Sequence, residues 1–257
     1  MKISNETVKK ARKRLLKMHY ESGVGHIGGN LSCLDAMLLT LHEYIGTKDR
    51  FILSKGHSVG ALYIVQWSLG SLTDEELTTF HKDNTLLAGH PPARGIKDIL
   101  FATGSLGHGF SLAAGTALSL KIKGENGKVF CLTSDGEWQE GSTWEALIFA
   151  SHHQLSNLTI LVDHNNLQGF GSTHAVASMS PLVDKIAGFN VDVHCVNGHD
   201  INAIRTILDS PTDKCRVVIL ETAKGNGVSF MENRMEWHYL PLNKDQYHQA
   251  IQEIEAA

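Results

Sequence analysis

The sequence lacks the features that would place it in a membrane, in an oxidising compartment or on nucleic acid. No run of about 18 apolar residues occurs, so no membrane-spanning helix is expected. The 4 cysteines form no CxxC pair, which predicts reduced thiols rather than a disulfide framework. The net charge is −4 and the basic residues are scattered, so nothing indicates nucleic-acid binding. The charged N-terminus has no apolar core typical of a secretory signal, and we expect a cytoplasmic protein.

What is present is the composition of a globular chain, with 42% hydrophobic and 19% charged residues. A chain of 257 residues can bury a substantial core, and no repeat or Pro/Gly/Ser-rich linker divides it. We therefore expect one domain over residues 1–257. Histidine is unusually frequent, with 15 residues, and several of them stand beside a glycine.

Apolar runs alternate with helical periods along the C-terminal half of the chain. Strands that alternate with helices favour a parallel sheet, and continuous apolar runs such as LTILV favour strands that are buried on both faces. The predicted fold class is α/β, with a mostly parallel central sheet and helices on both faces. Strands are expected within 50–57 and at 128–133, 158–163, 191–196 and 217–222, and helices at 4–20, 32–45, 58–70, 111–123, 143–154, 181–189 and 200–210.

Two polar clusters follow two of these strands. Asp135 and Gly136 come after the strand at 128–133, and Asn165 comes after the strand at 158–163. Ligands bind beyond the carboxyl ends of strands in open α/β sheets, so neighbouring strands would point both clusters into one crevice. A carboxylate, an amide oxygen and a main-chain carbonyl suit Mg²⁺ or Ca²⁺ and leave positions for phosphate oxygens. With a glycine that permits close approach and a helix N-terminus behind it, the spacing predicts a metal-bridged diphosphate.

The same stretch resembles the N-terminal, diphosphate-binding segment of transketolases, a thiamine diphosphate family. The family motif begins with GDG, continues through an EG pair and ends in an Asn-containing turn; here it reads SDGEWQEG and later LVDHNNL, with Ser134 in place of the first glycine. The resemblance implies that Asp135, the Asn165 side chain and the main-chain oxygen of Leu167 hold the metal. It also implies that Gly136 approaches the diphosphate.

Five further motifs follow the family's order, over roughly residues 8–240, and together they are far more specific than any one of them. Ile27 stands where the family has a proline, and His108 stands where long transketolases usually carry Gln. The motifs are GHIGG (25–29), LSKGHS (53–58), AGHP (88–91), TGSLGHG (103–109) and KGNGVSFME followed by WH (224–238).

The glycine-flanked histidines gain roles from this resemblance. His26, His57, His90 and His238 are expected to line the cleft around the cofactor, with His57 and His238 near the diphosphate. His26, His90 and His238 are the expected catalytic residues, which hydrogen-bond the oxygens of the sugar. Neutral imidazoles can do this because each offers one donor and one acceptor.

Three other residues are assigned by the resemblance. Gly104 and Leu106 are expected to shape the pocket under the cofactor, and Glu140 to join an acid network at the subunit interface. Trp138 and Trp144 are interpreted as packing residues. No chemistry is assigned to the other histidines singled out, which are His42, His81, His152, His153, His164, His174, His194, His199 and His248.

The resemblance also implies a partner chain. Long transketolases continue into a pyrimidine-binding domain, which supplies the glutamate that activates the cofactor, and into a C-terminal domain. This chain is therefore interpreted as the N-terminal subunit of a two-chain transketolase, which moves a two-carbon ketol unit from a ketose to an aldose. The expected assembly is α2β2 with a C-terminal subunit, and the expected substrates are sugars or sugar phosphates.

Several alternatives stay open. The chain could belong to another thiamine diphosphate enzyme, either 1-deoxyxylulose 5-phosphate synthase-like or 2-oxo acid dehydrogenase-like, although the GH turns disfavour the second. It could be a non-catalytic binding subunit, which the intact Asp135, Asn165 and histidine set disfavours. Asp135 alone could cap a helix over 137–154. A metal hydrolase is disfavoured because no HxxEH-type spacing occurs.

Overall fold

Five parallel strands form the centre of the computed structural model, which describes residues 2–256. The strand order across the sheet is first, second, third, seventh and sixth along the chain. The second and third strands, which precede Asp135 and Asn165, are neighbours, and this is the condition under which both residues face one crevice. The α/β fold class is confirmed. The strands are β1 (Arg50–Leu53), β2 (Val129–Ser134), β3 (Leu158–His164), β6 (Asp192–Asn197) and β7 (Arg216–Glu221), with a separate hairpin of β4 (Leu167–Gln168) and β5 (Gly171–Ser172).

Helices pack on both faces of this sheet. The α-helices are α1 (Asn5–Ser22), α2 (Ile27–Leu39), α3 (Val59–Ser68), α4 (Asp74–Leu77), α5 (His108–Ile122), α6 (Gly141–His152), α7 (Thr173–Ala177), α8 (Leu182–Ala187), α9 (Ile201–Asp209) and α10 (Lys244–Ala256). In the part of the chain that the structure describes, none of them has the length and apolar character needed to cross a membrane.

Alternating side chains of each strand enter two separate cores. On β3, Leu161 enters the core formed with α1, α2, α3, α9 and α10, whereas Ile160 and Val162 enter the core formed with α5, α6 and α8. The pleat of a strand produces this division because successive side chains point to opposite faces. The sheet therefore lies between two helical layers, which fix the position of the carboxyl ends of its strands.

The structure differs from the predicted elements where glycine-rich turns meet helices. The helix predicted at 32–45 begins at Ile27, directly after a turn at His26, and its end at Thr40–Tyr44 widens into a π-turn. Gly28 and Gly29 have low helix propensity, so the sequence does not reveal this start. Burial of the whole helix outweighs that propensity in the structure. The hairpin at 167–172 was not predicted because its strands have only two residues each.

Replacement of Leu161 by Ala should lower the free energy of unfolding by about 2–5 kcal/mol, because the side chain is fully buried and would leave a cavity. The control is Ile148→Ala on α6, where the side chain is 54% exposed and a change within about 0.5 kcal/mol is expected. Urea unfolding of both variants measures the difference. Equal losses in the two would contradict the assignment of Leu161 to the core.

Candidate active site

Loops at the carboxyl end of the sheet enclose a cavity of about 240 Å³. Residues from segments that are far apart in the chain line the cavity, and most of them were predicted as site residues from the sequence. One predicted residue, Glu140, is exposed on the surface and does not line the cavity. The predicted residues that do line it are His26, His57, His90, Gly104, Leu106, Asp135, Gly136, Asn165, Leu167 and His238.

Asp135 lies at the end of β2 with its carboxylate turned into the cavity. One oxygen accepts the N–H of Gly136 at 2.8 Å and the other accepts the N–H of Asn166 at 2.6 Å. It does not cap a helix, since α6 begins at Gly141. Burial, together with the nearby Asp163 carboxylate, raises the pKa of Asp135 to about 7. A buried acid of this kind is stabilised as a carboxylate when a cation binds beside it.

Asn165 and Leu167 present two more oxygens on the same side. The Asn165 amide donates to Asp163 at 3.1 Å, so its orientation is fixed, and its oxygen accepts the N–H of Leu167 at 3.1 Å. The carbonyl of Leu167 accepts a hydrogen bond from Lys224 at 3.4 Å. No group of three His, Cys, Asp or Glu side chains within residues 2–256 could hold a metal ion. Carboxylate, amide and carbonyl oxygens are ligands that hard divalent cations prefer, so the set formed by Asp135, Asn165 and Leu167 fits such a cation.

A buried ion pair beneath the cavity was not predicted. The ammonium of Lys55 contacts the carboxylate of Asp163, and both side chains are almost completely buried. Burial alone would raise the pKa of Asp163, but Lys55 and the hydroxyls of Ser32 and Thr222 lower it below its usual value. Both groups are therefore charged at neutral pH. The LSKGHS motif contains Lys55, but the resemblance assigned a role only to His57 in that turn.

Four imidazoles surround the mouth of the cavity. The ring centroid of His26 lies 5.1 Å from that of His238, 5.7 Å from His57 and 6.5 Å from His90. Burial lowers the pKa of His26 to about 4 and of His238 to about 3, and it also lowers the pKa of His57 and His90. The four rings are therefore neutral at pH 7, and each offers a donor and an acceptor.

Lys224 sets the tautomer of one of these rings. Its ammonium lies 3.0 Å from Nδ1 of His238. An ammonium has only donors, so Nδ1 must accept, and the neutral ring carries its proton on Nε2. Burial and the charge of Lys55 lower the pKa of Lys224 to about 8, which leaves it mostly protonated at neutral pH.

The turns that carry the histidines are tightly constrained. The backbone of His26 is left-handed, with φ of 66°, and its N–H donates to the carbonyl of His238 at 3.1 Å. A left-handed non-glycine residue is strained, and such strain is common at functional sites. Gly104 has φ of 139°, and a Cβ there would lie 2.6 Å from the ring of His90. The ring of His90 can therefore lie where it does only beside a glycine.

Glu137 is a second buried acid that sequence reasoning missed. Its carboxylate accepts the N–H of Gly107 at 2.9 Å, the N–H of Ser134 at 2.8 Å and the hydroxyl of Ser54. It thus joins three of the loops that form the cavity. Burial raises the pKa of Glu137. Glu137 and Glu140 stand in the same SDGEWQEG motif, and only the geometry of the turn separates the buried acid from the exposed one.

This chain is similar to known proteins over most of its length. The family model described as transketolase, thiamine diphosphate binding domain, matches residues 40–255. One of the subunits of the apulose-4-phosphate transketolase of Phocaeicola vulgatus is 35% identical, over 95% of this chain and 91% of that protein. A 6-deoxy-6-sulfo-D-fructose transketolase subunit of Clostridium sp. is 32% identical, over 95% of this chain and 93% of that protein.

Solved structures agree with these relatives. The transketolase of Campylobacter jejuni superposes with a TM-score of 0.89 at 26% identity and covers 99% of this chain. This chain spans 43% of the length of that structure. The Campylobacter jejuni structure therefore contains the complete α/β fold of this chain.

Replacement of Glu137 by Gln should lower the free energy of unfolding by about 1–3 kcal/mol, because the amide NH₂ would face an N–H donor in a buried position. Glu145→Gln, on the exposed face of α6, is the matched control and should be nearly neutral. Urea unfolding of the two variants at the same pH measures the effect. If Glu137→Gln were as stable as the wild type, the contact between the three loops would not depend on this carboxylate.

Acid should weaken the fold through the imidazoles. The folded pKa values of His26 and His238 lie below the ordinary value, so the unfolded chain binds more protons once the pH falls below about 6.5. Stability should fall from there toward about pH 4, by at most about 1.4 kcal/mol per pH unit for each ring and less where water reaches it. Urea unfolding at pH 7 and pH 5 tests this. His26→Gln should lose less stability between the two pH values than the wild type, and an equal loss would refute the account.

Proposed function

This chain belongs to the transketolase family, whose thiamine diphosphate-binding domain it contains, and from that premise we propose that it is the N-terminal subunit of a two-chain transketolase. It is proposed to transfer a two-carbon ketol unit from a ketose to an aldose with thiamine diphosphate and Mg²⁺ or Ca²⁺. The observation that carries this proposal is that residues from the six family motifs converge on one cavity.

The proposed cation and diphosphate sites rest on the polarity of the cavity. Asp135, the amide oxygen of Asn165 and the carbonyl of Leu167 would hold the cation, since they form a hard oxygen set on one side. Lys224 and Lys55 also line the cavity, and their positive charge suits a diphosphate bound beside the cation. When bound, thiamine diphosphate would supply the carbon nucleophile and electron sink for C–C bond cleavage.

The imidazoles would bind the sugar. His238 presents Nε2–H, because Lys224 occupies its Nδ1. His26 and His90 are neutral at pH 7, so each can donate to a sugar carbonyl or hydroxyl oxygen and accept from another. Donors already fixed by the fold stabilise charge on a sugar oxygen without reorganisation, which is the main way in which a protein assists such a reaction.

A partner chain is proposed to complete the site. Phe170 is 86% exposed and Tyr239 is 55% exposed, and both line the rim of the cavity. Exposed apolar side chains beside a polar cleft favour coverage by another protein. The C-terminal subunit, with its pyrimidine-binding and C-terminal domains, would cover this rim, supply the activating glutamate and bind the charged end of a sugar phosphate. Glu140 would lie in an α2β2 subunit interface, and the assembly would be cytoplasmic.

The test is a ketol-transfer assay with thiamine diphosphate and Mg²⁺, on this chain alone and mixed with the C-terminal subunit. Turnover is expected only in the mixture. Asp135→Ala should abolish it, since the buried carboxylate is the one charged member of the proposed cation site, whereas Asp184→Ala on the exposed face of α8 should leave it unchanged. Turnover by this chain alone would contradict the two-chain proposal, and full activity of Asp135→Ala would contradict the cation site.

A further inference from the structure

A polar cluster outside the cavity holds the loop that carries Lys224. The loop runs over residues 222–228, after β7. We call the side chains of His199, Asp35 and Arg12 the loop clamp. None of the three lines the cavity, and the sequence analysis assigned no chemistry to His199.

His199 is the member that touches the loop next to Lys224. Its Nε2 accepts the N–H of Ala223 at 3.0 Å, so this nitrogen carries no proton. Its Nδ1 lies 2.9 Å from the carboxylate of Asp35, to which it donates. The bond from His199 to Asp35 therefore fixes both the ring orientation and the tautomer that accepts from the loop.

Arg12 holds the other end of the loop. It lies 2.6 Å from Asp35, and it donates to the carbonyl of Asn226 at 2.6 Å. A Cβ on Gly227 would lie 2.8 Å from the same guanidinium, so backbone and side chain are in close contact. The loop is thus held at residues 223 and 226, on either side of Lys224.

The position of the Lys224 side chain depends on these contacts of the loop. Lys224 reaches the Leu167 carbonyl at 3.4 Å and Nδ1 of His238 at 3.0 Å, and its side chain is almost fully buried. The next residue, Gly225, donates to the carbonyl of Gly28 at 2.9 Å. A buried ammonium on a flexible stem keeps one position only when its backbone is fixed.

We propose that His199 is a positioning residue, which acts through Ala223 to fix Lys224 and thereby sets the affinity for the diphosphate of the cofactor. This inference rests on the proposed function, since it requires that the cavity binds a diphosphate. The neighbouring helix has its own cap, because Asp200 accepts the N–H groups of Asn202 and Ala203. Loss of the His199 side chain therefore leaves the start of α9 intact.

His199 also contacts Asn226, whose side-chain nitrogen lies 3.0 Å from Nδ1. Two substitutions separate the Ala223 bond from the contacts of Nδ1. In His199→Gln the amide oxygen can replace Nε2 and accept from Ala223, whereas in His199→Asn the shorter amide can replace only Nδ1 and contact Asp35. The Kd for thiamine diphosphate in MgCl₂, followed by tryptophan fluorescence of the full chain, should rise about five- to tenfold in His199→Asn and less than about twofold in His199→Gln. Amide hydrogen exchange over residues 223–226 should accelerate in His199→Asn only.

A double-mutant cycle with Lys224→Met distinguishes positioning from general destabilisation. His199→Asn should have no further effect on the Kd once Lys224 is replaced, because the two residues act through one contact. His194→Asn, on the preceding strand and outside the clamp, is the matched control and should bind as the wild type does. Equal Kd values for His199→Asn and the wild type, or additive effects in the cycle, would overturn the inference. Absence of binding by the wild type, both alone and mixed with the C-terminal subunit, would instead overturn the proposed function.

Discussion

The buried ion pair between Lys55 and Asp163 is the interaction on which the site depends. Asp163 lies near the end of β3 and Lys55 follows β1. The Asp163 carboxylate also accepts hydrogen bonds from Ser32 on α2, from Thr222 after β7 and from Asn165. Two charges in a dry interior carry a large desolvation cost, which is offset only when every lone pair finds a donor. Here that requirement brings four segments to one point, and the Asn165 amide is oriented as a consequence.

The charges around the cavity follow from this pair. Lys55 is held charged by Asp163, and its field, with burial, helps to lower the pKa of Lys224 and of His57. The imidazoles stay neutral and act as hydrogen-bonding groups, while the ammonium groups supply the positive charge. The cavity therefore combines positive charge, which suits an anion, with the Asp135 carboxylate, which suits a cation. A metal–diphosphate group has both characters.

The sequence was sufficient for the parts of the site that local chemistry determines. Asp135 and Asn165 could be placed side by side because parallel strands end at one edge of the sheet. Glu137 could not be distinguished from Glu140, since both are acids in one motif and only the turn buries the first. The contacts of His199 could not be foreseen either, because its partners lie on α2 and in the loop after β7, and such long-range contacts leave no periodic signal in the sequence.

The proposed site holds a diphosphate through a divalent cation at Asp135, Asn165 and the carbonyl of Leu167. The most direct measurement is a crystal structure of the chain grown with thiamine diphosphate and Mn²⁺, with anomalous scattering to locate the metal. We expect an anomalous peak between these three oxygens, with diphosphate density against it and Lys224 beside the diphosphate. A peak elsewhere, or a diphosphate bound without metal at Asp135, would contradict it.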